Sequence, residues 1–379
     1  SKAGALGSLD LLFTIEAMIF AQTCLILPLV WGGSWTAFEG VGRAYSDTLS
    51  TMGINERQRL RMEIQLASNG VYHAVVLAFG RAIAEVGAVI MVGGNIAGKT
   101  RVMTTSIVLE TSKGNMEQAA VLGVLLLALS LSLVALAAMV RKRRSSKKTV
   151  LQGDELPIPT PFGGDETHTI HVEKGGKRLL QDVLIHLKPG TITAVVGESG
   201  AGKTTLLRSL AGLEGRDVEC GPNACIYVQQ QPMLFNASVA EELMLPTTLF
   251  PPLSPAAKAY SSLFQLDDKW HQDIEGISGG ERQRTVLARQ LSFSPSLLLL
   301  DECTSNLSWL HVQTIEQELI RLKEGGTCIV MVTHNIPQAH RIADQILVLH
   351  EGKRLDDSDP FARSFLEGEW FDAQSTKKA

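Results

Sequence analysis

A nine-residue segment rich in glycine carries the clearest chemistry in this sequence. It fits the phosphate-loop pattern G-x-x-x-x-G-K-[ST]. In such a loop, successive backbone N–H groups turn toward one phosphate, and the following helix presents its positive N-terminus to it. We expect all nine residues to bind a phosphorylated ligand: Gly197, Glu198, Ser199, Gly200, Ala201, Gly202, Lys203, Thr204 and Thr205.

Two side chains of this loop have roles of their own. Lys203 can reach the outer phosphates and so serves both binding and catalysis, and the Thr204 hydroxyl can ligate Mg²⁺. The loop follows an apolar run, residues 191–196, and leads into a helix-like run, residues 206–213. This strand–loop–helix setting disfavours the alternative, an ordinary glycine-rich turn before a helix.

An acidic pair, Asp301 and Glu302, ends a second apolar run, residues 297–300. Ligands of open α/β sheets bind at the carboxyl ends of the strands. Asp301 would hold Mg²⁺ directly or through water, and Glu302 could accept a proton from an attacking water. Taken alone, the pair could equally be a turn, but the phosphate loop makes the catalytic interpretation preferable.

The segment Ser278, Gly279 and Gly280 begins a helix-like stretch that continues to Leu291. Free N–H groups at a helix N-terminus can bind a second phosphate. One chain cannot easily bring this segment to its own phosphate loop, and an ordinary helix cap is the alternative.

Short apolar runs alternate with helix-like segments from residue 167 onward, which predicts an α/β domain whose sheet is buried on both faces. The predicted strands are 168–172, 183–187, 191–196, 224–228, 297–300, 327–332 and 346–349.

Composition excludes some classes of protein. The 379 residues carry a net charge of −4, which argues against a nucleic-acid binder with a broad basic face. The 5 cysteines include no CxxC pair, so we expect buried thiols in a reducing compartment and no zinc site.

The first 140 residues instead predict helices in a lipid bilayer. About three spans are expected, 11–31, 71–93 and 119–140; the last is uncharged, and the basic residues 141–144 that follow place its end in the cytoplasm. Arg81 and Glu85 share one helix face in the second span, either as an ion pair between helices or on a pathway.

With this topology, residues 32–68 are cytoplasmic, and they contain a segment that can form an amphipathic helix with Leu49 and Met52 on one face. The first span would then begin outside, which predicts an earlier span ahead of it. Residues 141–166, with their prolines and glycines, are predicted to be an extended linker.

The motifs of the second half resemble, in kind and order, the nucleotide-binding domain of ATP-binding-cassette (ABC) transporters over about residues 168–353. The phosphate loop matches Walker A, residues 297–302 match Walker B, and residues 278–280 match the signature. The resemblance implies ATP and Mg²⁺ as cofactors. It adds Gln230, which would sense Mg²⁺ and the permease, and His334, which would contact the γ-phosphate.

The resemblance further implies a head-to-tail pair with a second copy of the chain. ATP would lie between the phosphate loop of one copy and the signature of the other. Two features depart from the family pattern. Ser308 stands where an aspartate is usual, and no aromatic residue lies where adenine stacks, near His171, Val172 and Lys174.

Residues 8–140 resemble the permease of tungstate importers, with molybdate and sulfate permeases as more distant relatives. The matching segments are 47–53, 64–67, 79–88, 93–96, 104–105 and 109–114. Segment 46–66 corresponds to the cytoplasmic coupling loop. Family members carry further helices ahead of this region, so the chain is expected to be truncated at its N-terminus. Thr104 and Thr105 are candidates to meet a tetrahedral dianion.

The sequence therefore predicts an α-helical transmembrane permease domain followed by an α/β P-loop NTPase. Its expected divisions are 1–140, permease; 141–166, linker; 167–355, ATPase; and 356–379, tail. The expected function is ATP-driven import of an oxyanion, first of all tungstate, across the inner or plasma membrane, with the ATPase in the cytoplasm and an extracytoplasmic substrate-binding protein as partner. The alternatives are import of molybdate or sulfate, a membrane-tethered regulatory ATPase, and an inactive fragment.

Overall fold

The chain divides into two compact units in a computed structural model. The first unit comprises Ser1–Gly42 and Arg61–Lys148, and the second comprises Arg43–Leu60 and Thr149–Ala379. The structure describes residues 12–52, 54–144, 155–214, 225–231, 233–235, 238–250, 256–305, 307–356 and 358–367. Much of the predicted linker and tail, residues 145–154 and 368–379, lies outside the described residues.

The first unit is helical. Its helices are α1 (Ile15–Glu39), most of α3 (Glu56–Ala84), α4 (Gly87–Gly93), α5 (Met103–Ser112) and α6 (Met116–Arg144). Glycine lets α1 and α3 approach closely: a Cβ on Gly33 would meet Ala74, and one on Gly70 would meet Ala37. Such small-residue contacts are typical of helix packing in lipid.

Among the described residues, two helical segments are long and apolar enough to cross a membrane, Ile15–Glu39 and Met116–Leu136. The predicted span 71–93 is not one continuous helix, because α3 and α4 meet at a bend of 59°. At this break the Glu85 carboxylate accepts a hydrogen bond from the Ala88 N–H (3.3 Å) and pairs with Arg81 (3.3 Å). The carboxylate thus satisfies a backbone donor at the start of α4, and the two segments form a bent pair.

The second unit contains two sheets. β1 (Glu166–Lys174) and β2 (Lys177–Leu187) form an antiparallel pair of their own. The larger sheet has the strand order β4-β5-β6-β3-β7-β8, and all its neighbours are parallel except β7 and β8. Its strands are β3 (Ile192–Gly197), β4 (Cys225–Val228), β5 (Leu297–Asp301), β6 (Cys328–Val332), β7 (Gln345–His350) and β8 (Lys353–Leu355). All seven predicted strands are confirmed, and β8 is an addition.

The helices of the second unit are α2 (Gly42–Thr51), α7 (Lys203–Leu210), α8 (Val239–Leu243), α9 (Leu245–Leu249), α10 (Ala257–Leu263), α11 (Gly279–Leu291), α12 (Trp309–Glu324), α13 (Ile336–Ile342) and α14 (Pro360–Glu367). Short 3₁₀ turns lie at Asp267–Lys269 and Ile274–Gly276.

The core of this unit lies around the central strands. β3, β4, β5 and β6 are buried along their whole length, and full burial of each large aliphatic side chain contributes roughly 1.5–3 kcal/mol. Parallel strands bring their carboxyl ends to one edge of the sheet. The residues that follow β3, β4, β5 and β6 therefore meet there, and these are the predicted functional residues.

Candidate nucleotide-binding site

The phosphate loop connects β3 to α7, as the sequence predicts. Gly197, Gly200 and Gly202 have positive φ angles of 150°, 83° and 102°. At Gly197 a Cβ would collide with the carbonyl oxygen of Leu349 in β7. Only glycine fits this close approach, so the neighbouring strand fixes the start of the loop.

Lys203 is the first residue of α7 and is buried. Its ammonium group donates to the carbonyl oxygens of Gly197 (2.9 Å) and Glu198 (2.7 Å), at the start of the same loop. Burial lowers the pKa of Lys203, and the nearby carboxylates of Glu302 and Asp301 oppose that shift. The lysine is thus held over the loop, where phosphate oxygens could replace the carbonyl acceptors.

Asp301 ends β5 with only 2% of its surface exposed. It accepts hydrogen bonds from the hydroxyls of Tyr227 (3.0 Å, to Oδ2) and Thr204. Burial raises the pKa of Asp301, and these two hydrogen bonds counteract the shift. The structure thus brings Thr204 and Asp301, two of the three residues predicted at the Mg²⁺ site, into direct contact, while the third, Gln230, bonds Glu302.

Glu302 is the centre of a second cluster. Its Oε1 lies 2.7 Å from Nε2 of His334, and its Oε2 accepts a hydrogen bond from Nε2 of Gln230 (2.8 Å). The residue has a left-handed backbone (φ 49°), which non-glycine residues rarely adopt. Gln230 follows β4, Glu302 follows β5 and His334 follows β6, so the sheet order places all three side chains together.

The predicted second phosphate site begins α11. Ser278 is the N-cap, and its Oγ accepts from the N–H of Glu281 (3.4 Å), whose carboxylate accepts from the N–H of Ser278 (2.7 Å). The hydrogen bonds that the Ser278 N–H and hydroxyl donate to the carboxylate lower the pKa of Glu281. Ser278 is therefore bonded within its own helix, and Gly279 and Gly280 form the first turn of that helix.

The residues at the two positions that depart from the family pattern contact polar neighbours. The Ser308 hydroxyl lies 2.8 Å from Nδ1 of His311, and an Arg284 guanidinium nitrogen lies 2.6 Å from Nε2 of the same ring. In the adenine neighbourhood, His171 pairs with Asp182 at 3.5 Å and Lys174 pairs with Glu214 at 3.4 Å.

Residues 43–60 form a further set of contacts inside the second unit. Asp47 on α2 pairs with Arg208 on α7 (2.7 Å), and the Thr48 hydroxyl accepts from the Gln229 amide (2.9 Å). Leu49 and Met52 are fully buried, which confirms the predicted amphipathic face. Hydrogen bonds to Asp47 and to Glu214 raise the pKa of Arg208, although burial opposes the shift.

Three of these residues have no signal in the sequence. Tyr227 and Arg208 belong to no motif recognised in the sequence, and Gln229 differs from Gln230 only in position. Tyr227 and Gln229 could have been suspected only as polar residues in or beside a short apolar strand. Which neighbours they contact depends on how β4 is placed in the sheet.

The comparisons with known proteins agree with this geometry. The family model described as ABC transporter matches residues 180–305. The Phosphate import ATP-binding protein PstB 1 of Vibrio parahaemolyticus is 31% identical over 244 residues, which cover 55% of this chain and 89% of that protein. The Aliphatic sulfonates import ATP-binding protein SsuB 1 of Rhizobium johnstonii is 34% identical over 194 residues, covering 47% of this chain and 70% of that protein.

A third relative is named as a permease protein and not as an ATP-binding protein. The Probable anion ABC transporter permease protein of Haloferax volcanii is 41% identical over 148 residues. The match covers 38% of this chain and 64% of that protein.

Proposed function

We propose that this chain, which belongs to the ABC transporter family, couples ATP hydrolysis in its second unit to import of an oxyanion through its helical first unit. The observation that carries the proposal is the position of Glu302, held by Gln230 and His334 beside Asp301, Thr204 and the phosphate loop. The second unit is an ATPase of this family. The substrate, the fusion with a permease and the individual residue roles are our proposals.

The residues present fit ATP with Mg²⁺. The phosphate loop has the glycines at positive φ that its turn requires, and Lys203 stands at its end. Among the described residues, no group of three or more His, Cys, Asp or Glu could hold a metal ion. A Mg²⁺ ion typically takes one or two carboxylates and completes its shell with phosphate oxygens and water. Thr204 and Asp301, with Gln230 nearby, would hold it here.

ATP supplies a phosphoanhydride whose hydrolysis releases free energy, and Glu302 would act as the general base toward water. One side chain in this role contributes roughly 10²–10⁴-fold to a rate. In this structure both Glu302 oxygens are already engaged, by Gln230 and by His334. We propose that His334 turns to the γ-phosphate in the active state, so that one carboxylate oxygen becomes available to water.

A second copy of the chain would complete the site. Ser278, Gly279 and Gly280 begin a capped helix whose first turn presents N–H groups to an anion. We propose that this helix start faces the phosphate loop of the partner copy in a head-to-tail dimer. The first N–H groups of a helix have no acceptor within the helix, so those of Gly279 and Gly280 would be offered to the ligand.

Residues 46–66 would transmit the motion to the membrane. The Asp47–Arg208 pair joins α2 to the helix that follows the phosphate loop, and the Thr48–Gln229 bond joins it to the residue beside Gln230. A change at either nucleotide-contacting element therefore displaces α2.

Tungstate is the proposed substrate because residues 8–140 resemble the permease of tungstate importers. The name of the Haloferax volcanii relative supports an anion as substrate but does not specify which anion. Of the two candidate hydroxyls, Thr105 is fully buried and bonds the backbone of Val102 at both its N–H and its carbonyl. We therefore retain Thr104. It borders a cavity of about 370 Å³ in the first unit, whose other lining residues are Gly80, Ile83, Ala84, Val86, Ile107, Val108, Gly123, Leu126, Leu127 and Ser130.

Uptake into vesicles tests this function. The chain is reconstituted with an extracytoplasmic binding protein, and uptake of labelled tungstate, molybdate and sulfate is measured with and without ATP. We expect ATP-dependent uptake of tungstate in preference to the other two, and loss of uptake in Lys203→Ala. ATP hydrolysis without uptake of any of the three anions would instead favour the membrane-tethered regulatory ATPase.

A further inference from the structure

We infer that Tyr227 is a positioning residue for the cation site, because its buried hydroxyl fixes the orientation of the Asp301 carboxylate. The inference rests on the proposed function, in which Asp301 and Thr204 hold Mg²⁺. Tyr227 lies outside the motifs that the sequence shows, and the adjacent Gln229 and Gln230 face other partners.

The sheet register explains the contact. β4 and β5 are parallel neighbours, and Tyr227 is paired with Leu299, two residues before Asp301. A tyrosine is long enough to extend along the neighbouring strand to its end, where the hydroxyl lies 3.0 Å from Oδ2 of Asp301. Both residues are 2% exposed, so water does not compete for this hydrogen bond.

The hydroxyl acts as a donor. An ionised carboxylate can only accept hydrogen bonds, so the proton of this contact belongs to the tyrosine hydroxyl. The carboxylate consequently has a fixed neighbour on Oδ2, and its rotation about the Cβ–Cγ bond is restricted. A metal ligand held in this way requires less reordering when the cation binds.

Loss of a hydrogen bond that orients a metal ligand typically reduces metal affinity 10–100-fold. Tyr227→Phe removes one oxygen atom and leaves the ring in the buried core. We expect a roughly tenfold higher Mg²⁺ requirement in Tyr227→Phe, at the lower end of that range because the Thr204 hydroxyl also bonds Asp301.

The chain supplies a matched control. Tyr260 is fully buried and donates through its hydroxyl to Oε1 of Glu318 at 2.8 Å, so Tyr260→Phe removes a tyrosine–carboxylate bond of the same kind. Asp301→Asn serves as a second control, because it removes the proposed cation ligand itself.

The experiment measures equilibrium binding of the non-hydrolysable nucleotide AMP-PNP to the full-length chain in lipid nanodiscs as Mg²⁺ is titrated. In Tyr227→Phe, we expect the Mg²⁺ concentration that gives half of the maximal gain in AMP-PNP affinity to be about tenfold higher. The dissociation constant of AMP-PNP in EDTA should be unchanged. Tyr227→Met, which also lacks a donor, should give the same shift if the phenylalanine variant folds poorly. A purely structural role would alter binding in EDTA as well.

Two outcomes overturn the inference. In the first, Tyr227→Phe has the same Mg²⁺ dependence of AMP-PNP binding as Tyr260→Phe and the wild-type chain, while Asp301→Asn loses this dependence. The cation site is then correct, but Tyr227 does not position it. If Asp301→Asn also keeps the full Mg²⁺ effect, the proposed cation site itself is wrong and the inference falls with it.

Discussion

Replacement of Glu302 by glutamine gives the sharpest test of the proposed chemistry. The wild-type carboxylate accepts from Gln230 on one oxygen and contacts His334 on the other, at 2.8 and 2.7 Å. A glutamine keeps the shape but not the carboxylate, so it loses the base. Turnover should fall 10²–10⁴-fold, which corresponds to about 3–5 kcal/mol of activation free energy.

Nucleotide binding should survive this change. The Glu302 charge opposes the burial that lowers the pKa of Lys203, so its removal takes away a negative charge near the site where phosphates would bind. We expect ATP affinity in Glu302→Gln to be equal to or tighter than in the wild type. Phosphate release at saturating ATP and Mg²⁺, and equilibrium binding of ATP, are the two measurements.

Glu351→Gln provides the control for backbone conformation. Glu351 is exposed and has a positive φ angle of 45°, close to that of Glu302. Its replacement should leave turnover unchanged. Unchanged turnover in Glu302→Gln would refute the general-base assignment, and loss of ATP binding together with turnover would indicate a damaged site instead.

Three further outcomes are expected. The first is a double-mutant cycle of Asp47→Ala and Arg208→Ala, whose side chains are 19% and 25% exposed. The coupling free energy, measured on transport-linked ATPase activity, should be about 1–2 kcal/mol, between the values of exposed and of buried ion pairs. Additive effects of the two substitutions would contradict the role of this pair. Glu242→Gln leaves a fully buried arginine partner uncompensated, so urea unfolding should show a loss of roughly 3–5 kcal/mol, and a loss below 1 kcal/mol would be inconsistent with this explanation. Burial and the Glu318 charge raise the pKa of Tyr260 in the folded state. Above pH about 10 the unfolded chain therefore loses a proton that the folded chain retains, and the free energy of unfolding should fall as pH rises. The fall should be less steep in Tyr260→Phe.

The strands and the phosphate loop could be predicted because their signals are local. Leu297–Leu300 is an uninterrupted apolar run, and the spacing of Gly197 and Gly202 is set by the turn they make. The strand and the loop each depend on the conformation and burial of residues that are close together in the sequence. The span predicted over 71–93 remains a prediction: hydropathy does not report the 59° bend between α3 and α4, and the bent pair passes the length and composition test only when its two helices are taken together.

The contacts that assemble the site could not be obtained in this way. Gln230, Glu302 and His334 are separated by long stretches of sequence and meet only because β4, β5 and β6 are adjacent in the sheet. The sequence and the resemblance to a family supplied their proposed roles, but not their mutual hydrogen bonds. Residues 43–60, which the sequence assigns to the permease, lie in the second unit through bonds such as Asp47–Arg208.

The sequence by itself determined the phosphate loop, the acidic pair, the strand positions and the presence of apolar helices, because each depends on neighbours in the chain. Only the tertiary structure decided that Tyr227 bonds Asp301 and that α2 belongs with the nucleotide-binding unit. The physical reason is that strand order and burial bring distant polar groups together, and a buried polar group is stable only where such a partner is present.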